Sequence, residues 1–180
     1  MSPRRARAGI GLAALAAGVA LLAHAAGGED FNFMPRGGRA LLIEVAGATP
    51  AKLGALAQEQ RTEAQWRQFA DAQQKLSTDR ERATLAAYLA VNMPLATPPA
   101  GAAQLPPDGR DLAWEQCQSC HSLFAGYLTQ SRAAVGWRNM FLSPFHRGLK
   151  MTPQEREEFS RYSEINMPMK VEDIPADLRF

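Results

Sequence analysis

The chain repeats itself. Displaced by 71 residues, Pro35, Gly38, Arg39, Leu41, Glu44, Arg61, Trp66 and Arg67 meet Pro106, Gly109, Arg110, Leu112, Glu115, Arg132, Trp137 and Arg138. Displaced by 74, Thr78, Glu81, Arg82, Tyr88, Asn92, Met93 and Pro94 meet Thr152, Glu155, Arg156, Tyr162, Asn166, Met167 and Pro168. Fifteen identities in one order, with a three-residue insertion between the two blocks, read as a duplicated unit rather than as shared composition. Any fold assigned to one copy must therefore serve the other.

Helices suit both copies. Thr78-Asp79-Arg80-Glu81 and Thr152-Pro153-Gln154-Glu155 have the Thr-x-x-Glu form of a capping box, and Pro153 sits at the first helical position, where its missing N–H is harmless. Leu85, Tyr88 and Val91, and likewise Phe159, Tyr162 and Ile165, follow at three-residue steps and form an apolar stripe. Each pattern stops at Asn-Met-Pro. No segment alternates convincingly as a strand does, so the expected fold class is all-α. Glu155, Glu157 and Glu158 are expected on the solvated face of the last helix.

The ends and joints differ from the copies. Arg4, Arg5 and Arg7 precede an apolar run from Ile10 to Ala23, and Ala23-His24-Ala25 offers the small residues a signal peptidase needs. Residues 1–28 are thus expected to be a signal peptide, with an uncleaved membrane anchor as the competing reading. Cleavage after Ala25 removes three arginines and no acid and leaves a formal charge of −1, so the basic pI belongs mostly to the export segment and no basic patch argues for nucleic acid. Residues 29–95 form the first copy after an irregular lead-in, residues 96–108 a Pro-rich linker, and residues 109–180 the second copy.

Both cysteines of the chain fall in CQSCH, residues 117–121. Cysteines this close rarely form a structural disulfide. Zinc wants about four ligands, and only His24 and His146 remain as strong candidates. A thioredoxin-like site wants a βαβ context that is lacking. The remaining reading is covalent attachment of a c-type haem. Each thiol adds across one vinyl group to give a thioether, and His121 is placed under the iron as an axial ligand. The spacing fits because vinyls on neighbouring pyrroles are reached from i and i+3 of one helical turn, with i+4 on the same side. In the first copy Ala46, Thr49 and Pro50 stand where Cys117, Cys120 and His121 stand in the second. Only the second copy can therefore hold such a haem, and one haem c is expected.

With these motifs placed, the chain resembles the class I c-type cytochromes over roughly residues 106–168. The wording CQSCHSL, GW, RGLKMTPQE is especially similar to small haem domains attached to periplasmic dehydrogenases, such as quinohaemoprotein amine dehydrogenases and sulfite dehydrogenase cytochromes. The resemblance implies two cytochrome c-like helical repeats, the first without haem. It also implies one-electron transfer in the periplasm with a redox enzyme or complex as partner, and no substrate turned over.

In such domains the sixth iron ligand is usually a methionine ahead of the last helix, about four residues before a glycine; counting back from Gly148 lands on Pro144. Met140, one turn earlier on the Trp137 helix, is the expected ligand, with Met151 and His146 as alternatives. Met167 and Met169 are weaker candidates, because Met93 shows that the first copy keeps a methionine at the position of Met167 without haem, and Met169 follows the last helix. Phe124, Tyr127 and Leu128 are expected to cover the macrocycle, and Trp114 and Trp137 to pack rather than relay electrons. The rival readings are a haem enzyme or gas sensor with an open or weakly held sixth position, and a structural subunit whose haem is vestigial.

Overall fold

Thr78 and Thr152 start the two longest helices, and both do so through a reciprocal cap. In the computed structural model, which describes residues 31–118 and 120–180, α4 (Asp79–Asn92) and α7 (Pro153–Asn166) begin with threonine Oγ1 accepting from the N–H of Glu81 and Glu155. The two glutamate side chains accept in turn from the threonine N–H groups. Such a box is worth about 1 kcal/mol and fixes where the helix starts. The residues expected to be a signal or anchor, 1–28, lie outside the described residues.

The other helices are α1 (Gly38–Ala46), α2 (Pro50–Ala57), α3 (Glu63–Asp71), α5 (Gly109–Cys117) and α6 (Ala134–Met140). No strand occurs among the described residues, so the fold is all-α. No single helix among them is long and apolar enough to cross a membrane. Helices α4 and α7 lie against each other at the centre; α1 and α3 pack on α4, and α5 and α6 pack on α7. Bounds agree between the halves: α5 reproduces α1 displaced by 71 residues, and α7 reproduces α4 displaced by 74.

Each half has its own core. Leu41, Leu42, Leu53, Trp66, Leu85 and Tyr88 fill the first, and Leu112, Tyr127, Trp137, Phe159 and Tyr162 the second. In both, the outer helix comes so close to the central one that a glycine is required: a Cβ on Gly38 would strike Tyr88, and one on Gly109 would strike Tyr162. Arg61 lies over the Trp66 ring at 4.7 Å and Arg132 over the Trp137 ring at 5.2 Å. The N–H of Leu95 donates to Ala57 O at 2.7 Å, and that of Met169 to Leu128 O at 2.8 Å.

The halves are tied by exchanged contacts. Tyr88 Oη donates to the carbonyl of Pro106, just ahead of α5, and Tyr162 Oη to that of Pro35, just ahead of α1. Asn166 Nδ2 donates to Thr84 Oγ1 at 3.0 Å, and Asn92 Nδ2 to Glu158 Oε2 at 3.3 Å, at corresponding places. Asp108 joins two helix starts. Its Oδ1 accepts from the N–H groups of Arg110 and Asp111 in α5, and its Oδ2 from that of Arg39 in α1, where Gly37 provides no side-chain cap. The Pro-rich segment is thereby packed: it contains a 3-10 turn at Ala102–Gln104, buries Leu105 and ends in the Asp108 cap.

Glu158 corrects the expectation for the last helix. Glu155 and Glu157 are half-buried, but Glu158 is 2% exposed and accepts from Gly109 N–H at the start of α5. The reason is that α7 is the central helix of its half, flanked by α4, α5 and α6, so little of its circumference reaches water.

The halves part company at residues 50–57 and 121–128. In the first, Thr49-Pro50 opens α2, whose Leu53 and Ala57 are fully buried in the core. In the second, the matching stretch makes a turn and then one π-helical turn, Phe124–Leu128. The first core is closed by polypeptide; the second is left open on that side.

Candidate functional site

Helix α5 ends at Cys117, and the chain turns away through Gln118 to Cys120 and His121. This brings both thiols and the imidazole onto one wall of an apolar pocket of about 570 Å3. The remaining wall includes Tyr127, Arg132, Met140, His146, Leu149 and Phe159. The volume lies in the range of cofactor-sized sites, about 300–1,000 Å3, and the mostly apolar lining with a few convergent polar groups is the usual form of one.

Each functional side chain has a local cause for its position. The Nδ1–H of His121 donates to Ser122 O at 3.1 Å, which leaves Nε2 as the nitrogen with a lone pair. Gly126, in the π-helical turn, admits the His121 ring: a Cβ there would come within 2.7 Å of its Cε1. Tyr127 Oη donates to Ser163 Oγ at 2.9 Å, and Ser163 donates onward to Phe159 O. Beneath the pocket Tyr127 stacks on Phe159 with ring centroids 5.4 Å apart, while Trp137 and Phe141 meet Phe159 edge-on. This aromatic floor is buried from solvent.

Burial, and then the neighbouring Cys120, push the Cys117 thiol up to about 12. No group of three or more His, Cys, Asp or Glu converges as a metal cage among the described residues. A pair of thiols beside one oriented imidazole, facing an apolar pocket, suits a flat apolar cofactor bonded through sulfur and ligated through nitrogen.

The sulfur candidates separate. Met140 ends α6 and lines the pocket. Met151 is 7% exposed and packs in the core with Phe159 and Tyr162, off the pocket wall. Met167 and Met169 are buried near the end of α7, with Met169 tied to Leu128 through the backbone. His146 also lines the pocket, with its ring centroid 6.2 Å from that of His121. Of the expected covering residues, Tyr127 reaches the pocket wall, and Phe124 and Leu128 lie behind it in the core. Trp114 packs against Phe31 and Phe33 of the lead-in.

Two contributors escaped the sequence reading. Gly126 carries no signal until a ring is seen against it. Arg132 does carry one: its counterpart Arg61 pairs with Glu59, whereas the residue matching Glu59 is Gln130, and Arg132 has no carboxylate partner among the described residues. The unmatched cation lies on the pocket wall.

No family model, curated protein or solved structure matches the chain.

Proposed function

We propose that the chain is an exported monohaem c-type cytochrome that passes single electrons as a subunit or partner of a periplasmic redox enzyme. In this reading the first half is the haem-free counterpart of the second, and the chain turns over no substrate. The observation that carries it is the convergence of Cys117, Cys120 and His121 on one apolar, cofactor-sized pocket.

The residues divide the work. Cys117 and Cys120 would hold the haem by thioether bonds, each S–H adding across one vinyl group with no oxidant needed, and would fix it in one orientation. His121 would hold the iron through Nε2, with its Nδ1–H kept by Ser122 O. The floor of Tyr127, Trp137, Phe141 and Phe159 excludes water and keeps reorganisation small. Arg132 supplies a positive charge suited to a carboxylate at the pocket edge. Bound there, the haem supplies the reversible one-electron couple. The first half lacks all three attachment groups and serves packing and contact with the partner.

The test is a mass measurement and a visible spectrum of the exported protein, beside a Cys117→Ala/Cys120→Ala variant. A c-type spectrum and one thioether-linked haem, both lost in the variant, are the expected result. A colourless wild type with the mass of its amino acids alone refutes the reading. The same mass reports whether residues 1–28 have been removed.

A further inference from the structure

Two imidazoles face each other across the pocket. The ring centroids of His121 and His146 are 6.2 Å apart, with ring planes at 87°. Two metal–imidazole bonds of about 2.0–2.1 Å each, together with the reach from each ring nitrogen to its ring centre, span about 6 Å. Perpendicular planes leave the in-plane nitrogens of both rings able to meet one metal between them. We propose that His146, and not a methionine, is the second axial ligand, so that the iron of the haem inferred above is held between two histidines.

Three features of the chain favour this, given the haem reading on which it rests. His146 Nδ1 is buried and has no hydrogen-bond partner among the described residues, so no hydrogen bond through that nitrogen accounts for an imidazole at that place. The turn that carries it is ordered by its own backbone: His146 N–H and Arg147 N–H donate to Ser143 O, and Leu149 N–H donates to His146 O. This turn also lies where the second half is three residues longer than the first, between the matched Trp66-Arg67/Trp137-Arg138 and Thr78/Thr152 pairs. The first half runs from α3 to α4 by the shorter path and has no histidine at all. The extra residues build a shelf that brings His146 opposite His121.

Against this, Met151 is off the wall and committed to the core. Met140 shares the wall and is the one rival sulfur there.

The consequence is chemical. A thioether favours ferrous iron, so replacing it by a second imidazole lowers the reduction potential and places the carrier towards the reducing end of its chain. With both positions filled by nitrogen, small gases bind slowly or not at all.

The experiment uses the full-length holoprotein, with the ferric spectrum, the midpoint potential and carbon monoxide as probe. The wild type is expected to lack the weak red-end absorption of sulfur-ligated ferric haem and to resist carbon monoxide when reduced. His146→Ala then binds carbon monoxide rapidly, His146→Met gains the sulfur absorption and a higher potential, and Met140→Leu, like the wild type, shows no sulfur absorption and resists carbon monoxide. A wild-type sulfur band that Met140→Leu abolishes overturns the proposal, as does rapid carbon monoxide binding by the wild type. These two outcomes rest on proteins with an intact His146, so misfolding of a His146 variant does not obscure them. Absence of any covalent haem overturns this proposal together with the reading beneath it, and the mass distinguishes that failure from the others.

Discussion

The two halves use one helical frame and close it differently. Residues 50–57 of the first half fold into a helix that fills the core with Leu53 and Ala57, whereas residues 121–128 of the second leave an apolar pocket beside two thiols. A close-packed interior can be completed by side chains or by something of comparable size and polarity. The first half uses polypeptide, and in the function proposed here the second uses a cofactor.

The sharpest test of that contrast is the matched tryptophans, both fully buried. Trp66→Ala should cost about 3–5 kcal/mol in chemical denaturation and leave a haem spectrum unchanged. Trp137→Ala should cost a similar amount and also disturb the spectrum, because its ring abuts Tyr127 and Phe159 on the pocket floor. Equal spectral effects from both would erase the distinction between the halves.

The next largest effect concerns the place where Thr84 and Glu158 correspond. Burial, and then the nearby Asp108 charge, push the Glu158 carboxyl up to about 8; burial, and then Asp111, push Asp108 up to about 6. Arg39 and Arg110 are the cations facing Asp108, and Arg161 acts on Glu158. Both carboxyls hold protons in the folded chain at pH values where the unfolded chain has released them. Their contribution is therefore fully present below the ordinary carboxylate range near pH 4 and is lost as the pH rises through about 6 and then about 8. Glu158→Gln should stabilise the protein by about 2–4 kcal/mol at pH 8 and by little at pH 4, as measured by urea denaturation at each pH. A gain that does not vary with pH would show that the buried carboxyl is not the source.

Helix starts offer a smaller comparison. Thr62 caps α3 through a box with Gln65, while the matching residue in front of α6 is Ala133, which has no cap to offer. Thr62→Ala should lose about 1 kcal/mol and Ala133→Ser should gain about 0.5–1 kcal/mol in thermal unfolding. Smallest in stability are the matched arginines: Arg61→Gln should cost at most about 1 kcal/mol, since its ion pair with Glu59 is partly exposed. Arg132→Gln should instead lower the midpoint potential of the holoprotein, because the positive charge it removes lies on the pocket wall and favours the ferrous state.

Regular structure was legible because its signals are local. The Thr-x-x-Glu boxes and the three-residue apolar steps fall on α4 and α7 where the sequence indicates, and the all-helical class follows from them. What escaped depends on neighbours distant in the chain. Glu158 looks like any surface acid until α4 and α5 close over it. The position of His146 is set by an irregular turn, where no periodicity says which side chains face inward. Arg132 becomes visible only when its surroundings are compared with those of Arg61, residue by residue.

The hydroxyl of Tyr162 reaches the carbonyl of Pro35 across 127 residues of chain, and Tyr88 returns the gesture to Pro106. Each half thus keeps a fastening that only the other can close. A chain emerging amino-terminus first can form α1 to α4 and fasten Tyr88 to Pro106 early, but the fastening of Tyr162 to Pro35 waits for nearly its whole length, so it is non-local and correspondingly slow. Severed between residues 96 and 101, the two pieces should still find and hold one another, each serving as the template on which the other completes itself.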